Sequence, residues 1–112
     1  MKSIALIACL FFSVTVSASA PDCYSWPMNI AKGWLKNERI VDIVDLDESR
    51  TQRKRLASEK KADEVYTQVY HFTFYDKRGT TYDVITQSDG SYQECSLSDV
   101  NVFLISKSRT YN

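Results

Sequence analysis

Val65-Tyr66-Thr67-Gln68-Val69-Tyr70-His71-Phe72-Thr73-Phe74-Tyr75, followed by Asp76-Lys77-Arg78-Gly79, is the stretch that decides the fold. Its β-branched and aromatic side chains suit a pleated, half-buried surface, and it stops at a polar cluster whose glycine can take a positive φ. Successive side chains of a strand point to opposite faces. Tyr66, Tyr70, Phe72 and Phe74 therefore share one face, and Val65, Thr67, Val69, His71, Thr73 and Tyr75 the other. The aromatic face is expected to be the core side, which turns His71 away from the main core. Thr80 to Thr86 reads as the returning strand, so the stretch predicts a β-hairpin.

Working downstream, Ser88-Asp89-Gly90-Ser91 reads as a second turn and Ser96-Leu97-Ser98-Asp99 as a third, with Val100 to Ile105 as the last strand. Upstream, Thr51 to Ser58 reads as a further strand anchored by Leu56, although Arg53 to Ala57 would also suit a helix. Lys60 to Asp63 reads as a connection. Ile40 to Leu46 fits neither the helical nor the strand period and is open to a short helix, a strand or a loop. Before it, Ser25 can cap a helix with Pro27 in the first turn, where a missing N–H costs nothing. Ile30, Ala31, Trp34 and Leu35 then recur at helical spacing up to about Asn37. Trp34 is assigned to the core, and Trp26 to covering a disulfide at Cys23. The expected fold is α+β: one N-terminal helix packed on an antiparallel sheet of three or four strands, with one disulfide.

Lys2, the apolar run Ile4 to Val16 and the small residues Ser17-Ala18-Ser19-Ala20 read as a secretory signal peptide. Pro21 fits poorly beside a cut after Ala20, because the peptidase needs an extended, hydrogen-bonded backbone there. Cleavage is therefore expected between Ala18 and Ser19, giving a signal peptide over 1–18 and a single small domain over 19–112. The apolar run is short of the roughly 20 residues that cross a bilayer. No transmembrane anchor is expected, and the protein is expected to be periplasmic or secreted. Leu6-Ile7-Ala8-Cys9 has the look of a lipoprotein signal, but too few apolar residues precede it, so lipidation at Cys9 is discounted.

Export gives the cysteines their meaning, since Cys23 and Cys95 would meet an oxidising compartment. A bridge between them closes most of the domain into one loop, worth about 4 kcal/mol by chain entropy. That is comparable with the whole stability of a small domain. A redox role would want a close Cys-x-x-Cys pair, which the sequence lacks.

The 14 basic and 14 acidic residues cancel, so no charge excess points to nucleic acid or to an anionic membrane. The charges are sorted along the chain, however. Glu38, Asp42, Asp45, Asp47 and Glu48 form an acidic stretch, and Arg50, Arg53, Lys54, Arg55, Lys60 and Lys61 a basic one, expected to neutralise one another as solvated faces.

Catalytic patterns are nearly missing. His71 is the only histidine, with no evident nucleophile beside it. Asp42, Asp45 and Asp47 have the acid content of a calcium loop without its glycine or its closing bidentate acid. No glycine-rich phosphate loop occurs. Glu59 with Glu64, or Asp89 with Glu94, could serve a glycosidase, but such pairs have little specificity. The expectation is a non-enzyme with no catalytic residues, no cofactor and no metal.

Val84-Ile85-Thr86-Gln87-Ser88-Asp89, Glu94-Cys95-Ser96-Leu97-Ser98-Asp99-Val100 and Val102 to Ser106 resemble the C-terminal pattern of small exported proteobacterial proteins, mostly of unassigned function. Leu56-Ala57-Ser58-Glu59-Lys60 and Tyr66-x-Gln68-Val69 extend that resemblance. It implies no active-site residues. Compartment and size suggest by analogy a periplasmic immunity protein that plugs a secreted toxin.

The leading expectation is thus a non-enzymatic periplasmic binding protein, an immunity protein or inhibitor that blocks a toxin or cell-wall hydrolase. Tyr and Arg are favoured interface anchors, and the contact residues expected are Tyr75, Lys77, Arg78, Tyr82, Asp89 and Tyr92 at the hairpin ends, with Arg53 and Arg55. The alternatives are a structural or assembly factor of the envelope, which could self-associate through a sheet edge, and a small hydrolase using a carboxylate pair.

Overall fold

The computed structural model describes residues 20–110. The expected signal peptide, its cleavage between Ala18 and Ser19, and Cys9 lie outside the described residues.

One helix, α1 (Ser25–Asn37), packs on a four-stranded antiparallel sheet made of β1 (Gln52–Ala62), β2 (Val65–Tyr75), β3 (Thr81–Gly90) and β4 (Asn101–Ser108). The spatial order β1-β2-β3-β4 follows the chain, a meander in which each strand pairs with the next. The fold is α+β, and Cys23 and Cys95 form a disulfide across a sequence separation of 72.

The parity of β2 sets the layers. Tyr70, Phe72 and Phe74 are buried under α1 with Tyr82 and Val84 of β3, Leu46, and Ala31 and Leu35 of the helix. Tyr70, Phe72 and Phe74 stack face to face along the strand, with centroids 5.7 and 5.9 Å apart. His71 lies on the opposite face, as the alternation requires.

Several boundaries differ from expectation for local reasons. Ser25 is the first residue of α1, and Tyr24 takes the capping position without a side-chain bond. Beyond Asn37 the helix is closed by Arg39, at φ 60°, where the N–H of Arg39 donates to the Lys36 carbonyl and that of Ile40 to the Leu35 carbonyl. This is the left-handed closure usually given to glycine. β1 continues through Lys60–Ala62, and the connection shrinks to Asp63 and Glu64, the latter at φ 56°. β3 runs on through Ser88-Asp89-Gly90, so the second turn falls later, over 91–100. Leu56 sits at a β-bulge between Arg55 and Ala57 and is 49% exposed, which removes it as the anchor of β1.

Ile40 to Leu46 is a loop carrying a short 3-10 turn (Ile43–Asp45), with a second after it (Glu48–Arg50). Asp42 and Asp47 accept hydrogen bonds from the backbone N–H groups of Val44 and Ser49 at the starts of these turns. The acids of that stretch therefore cap turns. Leu46 inserts into the core and bridges to Asp76.

Trp26 is 40% exposed and stands outside the core cluster. Gly90 lies close against the disulfide: a Cβ there would lie 2.7 Å from the Cys23 sulfur and 3.3 Å from the Cys95 Cα. The chain ahead of α1 is held to the sheet: the Pro21 carbonyl accepts from Gln68 Nε2 at 2.7 Å and from Arg55 Nη1 at 3.0 Å, and the Tyr70 hydroxyl donates to Asp22. Burial and the neighbouring Asp22 carboxylate push the Tyr70 phenol up to about 12.

Candidate functional site

The residues expected to contact a partner fall into three places. Tyr75, Lys77, Arg78 and Tyr82 gather at the β2–β3 turn, whereas Asp89 and Tyr92 lie at the other end of the same hairpin. The pairs Tyr75–Thr81 and Tyr66–Gly90 mark those ends, and the nine residue steps from Tyr66 to Tyr75 amount to about 30 Å. Arg53 and Arg55 sit on β1, on the helix side of the sheet.

The turn end has the most organised geometry. Asp76 is buried, and one carboxylate oxygen accepts from the backbone N–H groups of Arg78 and Thr80, each at 2.9 Å. Its other oxygen accepts from the Tyr82 hydroxyl at 3.0 Å. Desolvation of the buried carboxyl favours protonation, but the hydrogen bonds from Thr80, Arg78 and Tyr82 outweigh it and hold its pKa below the usual carboxylate value. Tyr82 is correspondingly pushed up to about 12, by burial and then by the Asp76 carboxylate. Gly79 closes the turn at φ 93°. From outside, the Lys77 N–H donates to the Asp45 carbonyl at 2.9 Å and the Asp47 N–H to the Tyr75 carbonyl at 2.8 Å. The backbone is thus fixed on both sides while the Lys77 and Arg78 side chains are exposed.

Beside this turn opens a cavity of about 570 Å³ lined by Ile40, Val41, Tyr82, Arg78, Lys107 and Arg109 among others. The Lys107 ammonium lies 5.9 Å from the centroid of the Tyr82 ring. Tyr82 itself is 3% exposed, so it forms the wall and anchors Asp76 instead of projecting as a contact. Tyr75 is half-buried beneath the Arg50 guanidinium, 4.2 Å from its ring centroid.

At the far end, Asp89 accepts from Lys61 Nζ and Thr67 Oγ1, both at 2.7 Å. Those two bonds lower its pKa against a smaller desolvation effect. A general acid needs the opposite shift, which counts against Asp89 as the acid of a pair with Glu94. Tyr92 is 54% exposed and packs edge-on to Tyr66. On β1, the Arg53 guanidinium lies 3.6 Å from the centroid of the Tyr24 ring. Arg55 donates to Pro21, as described, so both arginines are engaged within the chain.

The expected neutralisation of acidic stretch by basic stretch is not how the charges pair. Glu48 meets Lys32, and Lys61 meets Asp89; among the described residues no ion pair joins the two stretches. Sequence order is a poor guide here, because the sheet carries β1 away from the acidic loop.

One cluster escaped the sequence reading. On the face opposite α1, Asp83 accepts from His71 Nε2–H at 2.9 Å and Thr73 Oγ1 at 2.8 Å on one oxygen, and from Ser106 at 3.0 Å on the other. Desolvation is again opposed and outweighed by these bonds, so the Asp83 pKa is lowered. The hairpin register could have revealed it, since the Tyr75–Thr81 pairing places Asp83 opposite Thr73 and diagonal to His71. The serine hydroxyl donates to the carboxylate and not to the imidazole, so the order differs from that of a nucleophile–base–orienter triad.

Among the described residues no group of three or more His, Cys, Asp and Glu side chains could hold a metal ion, and no helix is long and apolar enough to cross a membrane. No protein-family model, curated protein or solved structure matches the chain.

Proposed function

We propose that the protein is an exported binding module of the immunity or inhibitor kind, which holds a toxin or cell-wall hydrolase through its β2–β3 turn. The observation that carries this reading is the turn itself: a buried, fully engaged carboxylate fixes the backbone from inside, and two long cations, Lys77 and Arg78, are exposed on its outside. A binding loop whose backbone is ordered in advance loses less conformational entropy on association. Exposed cations beside a shaped cavity suit a protein surface bearing carboxylates, and they would speed encounter with it. The disulfide supports the export reading, because such bridges persist in oxidising compartments.

The test is capture from the periplasm of the producing cell and protection against the toxin of an adjacent gene, each with the natural protein and with the Lys77→Glu/Arg78→Glu double variant. A stoichiometric partner is expected for the natural protein, bound at least about tenfold more weakly by the variant. Neither partner nor protection for the natural protein, or equal binding by both, would overturn the proposal.

A further inference from the structure

The two edges of the sheet differ in kind. β1 carries Arg53, Lys54 and Arg55 near its start, and Lys60 and Lys61 near its end. Laid antiparallel against a second β1, the basic start of one strand would run along the basic end of the other, like against like. Lysine-rich edges of this sort resist strand addition. β4, at the other edge, reads Asn101-Val102-Phe103-Leu104-Ile105-Ser106-Lys107-Ser108. Phe103 is 51% and Ile105 60% exposed, and no charge lies between Asp99 and Lys107. An antiparallel copy of β4 would bring the Asp99 end of one strand to the Lys107 end of the other, twice over.

We propose that β4 is a self-association edge, at which a second copy of this chain pairs antiparallel about a two-fold axis at Phe103 to make one eight-stranded sheet. In that register Phe103 meets Phe103 of the partner subunit on the face opposite α1. Val102, on the helix side, stands opposite Leu104 of the partner subunit. Both residues already pack against the core, so the new pairs extend it across the axis. Isologous pairing of this kind closes at two copies. The bulge at Ile105, where Leu104 faces Val84 and Ser106 faces Asp83, keeps the regular contact short. The dimer is accordingly reversible and concentration-dependent.

Analytical ultracentrifugation of the oxidised protein from micromolar to millimolar concentration reads this directly. A monomer–dimer equilibrium is expected, weakened about tenfold or more by Phe103→Lys, which places a charge at the axis of an exposed site. Opposed Cα atoms in an antiparallel pair are about 4.5–5.5 Å apart, within disulfide reach. Phe103→Cys should therefore give a covalent dimer under mild oxidation, with the Cys23–Cys95 bridge retained by mass mapping, and Lys54→Cys on the other edge should not. A monomer at every concentration, a dimer indifferent to Phe103→Lys, cross-linking through Lys54→Cys, or growth beyond the dimer would each overturn the proposal.

Discussion

The Tyr82 hydroxyl and the Asp76 carboxylate, six residues apart, meet at 3.0 Å beneath the β2–β3 turn. Each depends on the other, because the phenol is buried and needs an acceptor while the carboxylate is buried and needs donors. Asp76→Ala would strand two backbone N–H groups and a phenol at once, and a loss of about 3 kcal/mol is expected from urea unfolding. Asp76→Asn keeps an oxygen for the backbone donors and should cost less. The binding loop should loosen in the same order, read as faster amide exchange at Arg78 and Thr80.

Acid should destabilise the protein from a defined direction. Asp76, Asp83 and Asp89 all have lowered folded-state pKa values, so above the unfolded carboxylate value near pH 3.9 the charged forms contribute their full stabilisation. As pH falls below about 4 and on through the folded pKa values, the unfolded chain takes up more protons and that contribution is lost. Unfolding free energy measured against pH should therefore drop over this acid range. In Asp83→Asn the drop should be shallower.

The disulfide should carry a large share of the net stability. Its loop spans a separation of 72 residues, and a paired Cys23→Ala/Cys95→Ala variant is expected to lose about 4 kcal/mol in denaturant. Gly90→Ala tests the contact over the bridge, since a methyl there meets the Cys23 sulfur and the Cys95 backbone. A cost of about 1–3 kcal/mol is expected with the bridge intact. Stability equal to the natural protein would mean that the disulfide end relaxes freely.

Thr86 offers the reverse case. It is fully buried in β3, and its hydroxyl has no hydrogen-bond partner among the described residues. Thr86→Val keeps the branched shape favoured in a strand and removes an unpaired polar atom, so a gain of about 1 kcal/mol is expected at the urea midpoint.

What could be read in the sequence was whatever a local period or local chemistry encodes. The alternation from Val65 to Tyr75 gave the hairpin, its buried face and the outward His71, because a strand with one wet face must alternate. The helix through Ala31 and Leu35 and the Cys23–Cys95 bridge were legible for similar reasons. Leu56 fails as the anchor of β1 because a single apolar residue in a charged strand can be absorbed by a bulge. At the candidate site, Lys77 and Arg78 are legible in the sequence as turn residues, whereas the burial of Tyr82 is not. Only its bond to Asp76 explains why a tyrosine is buried there. Asp89 and Tyr92 lie at the hairpin end away from the turn, a separation set by the lengths of β2 and β3.

The turn from Asp76 to Gly79 divides its labour by position. Asp76 and Gly79 hold the shape, one through its carboxylate and the other through its positive φ, and neither Lys77 nor Arg78 lends a side chain to that task. Those two side chains can therefore be varied together, proline excepted because both backbone N–H groups donate, with little expected loss of folding. A library built on this turn would sample recognition independently of stability, which makes the chain a scaffold for selecting new binders.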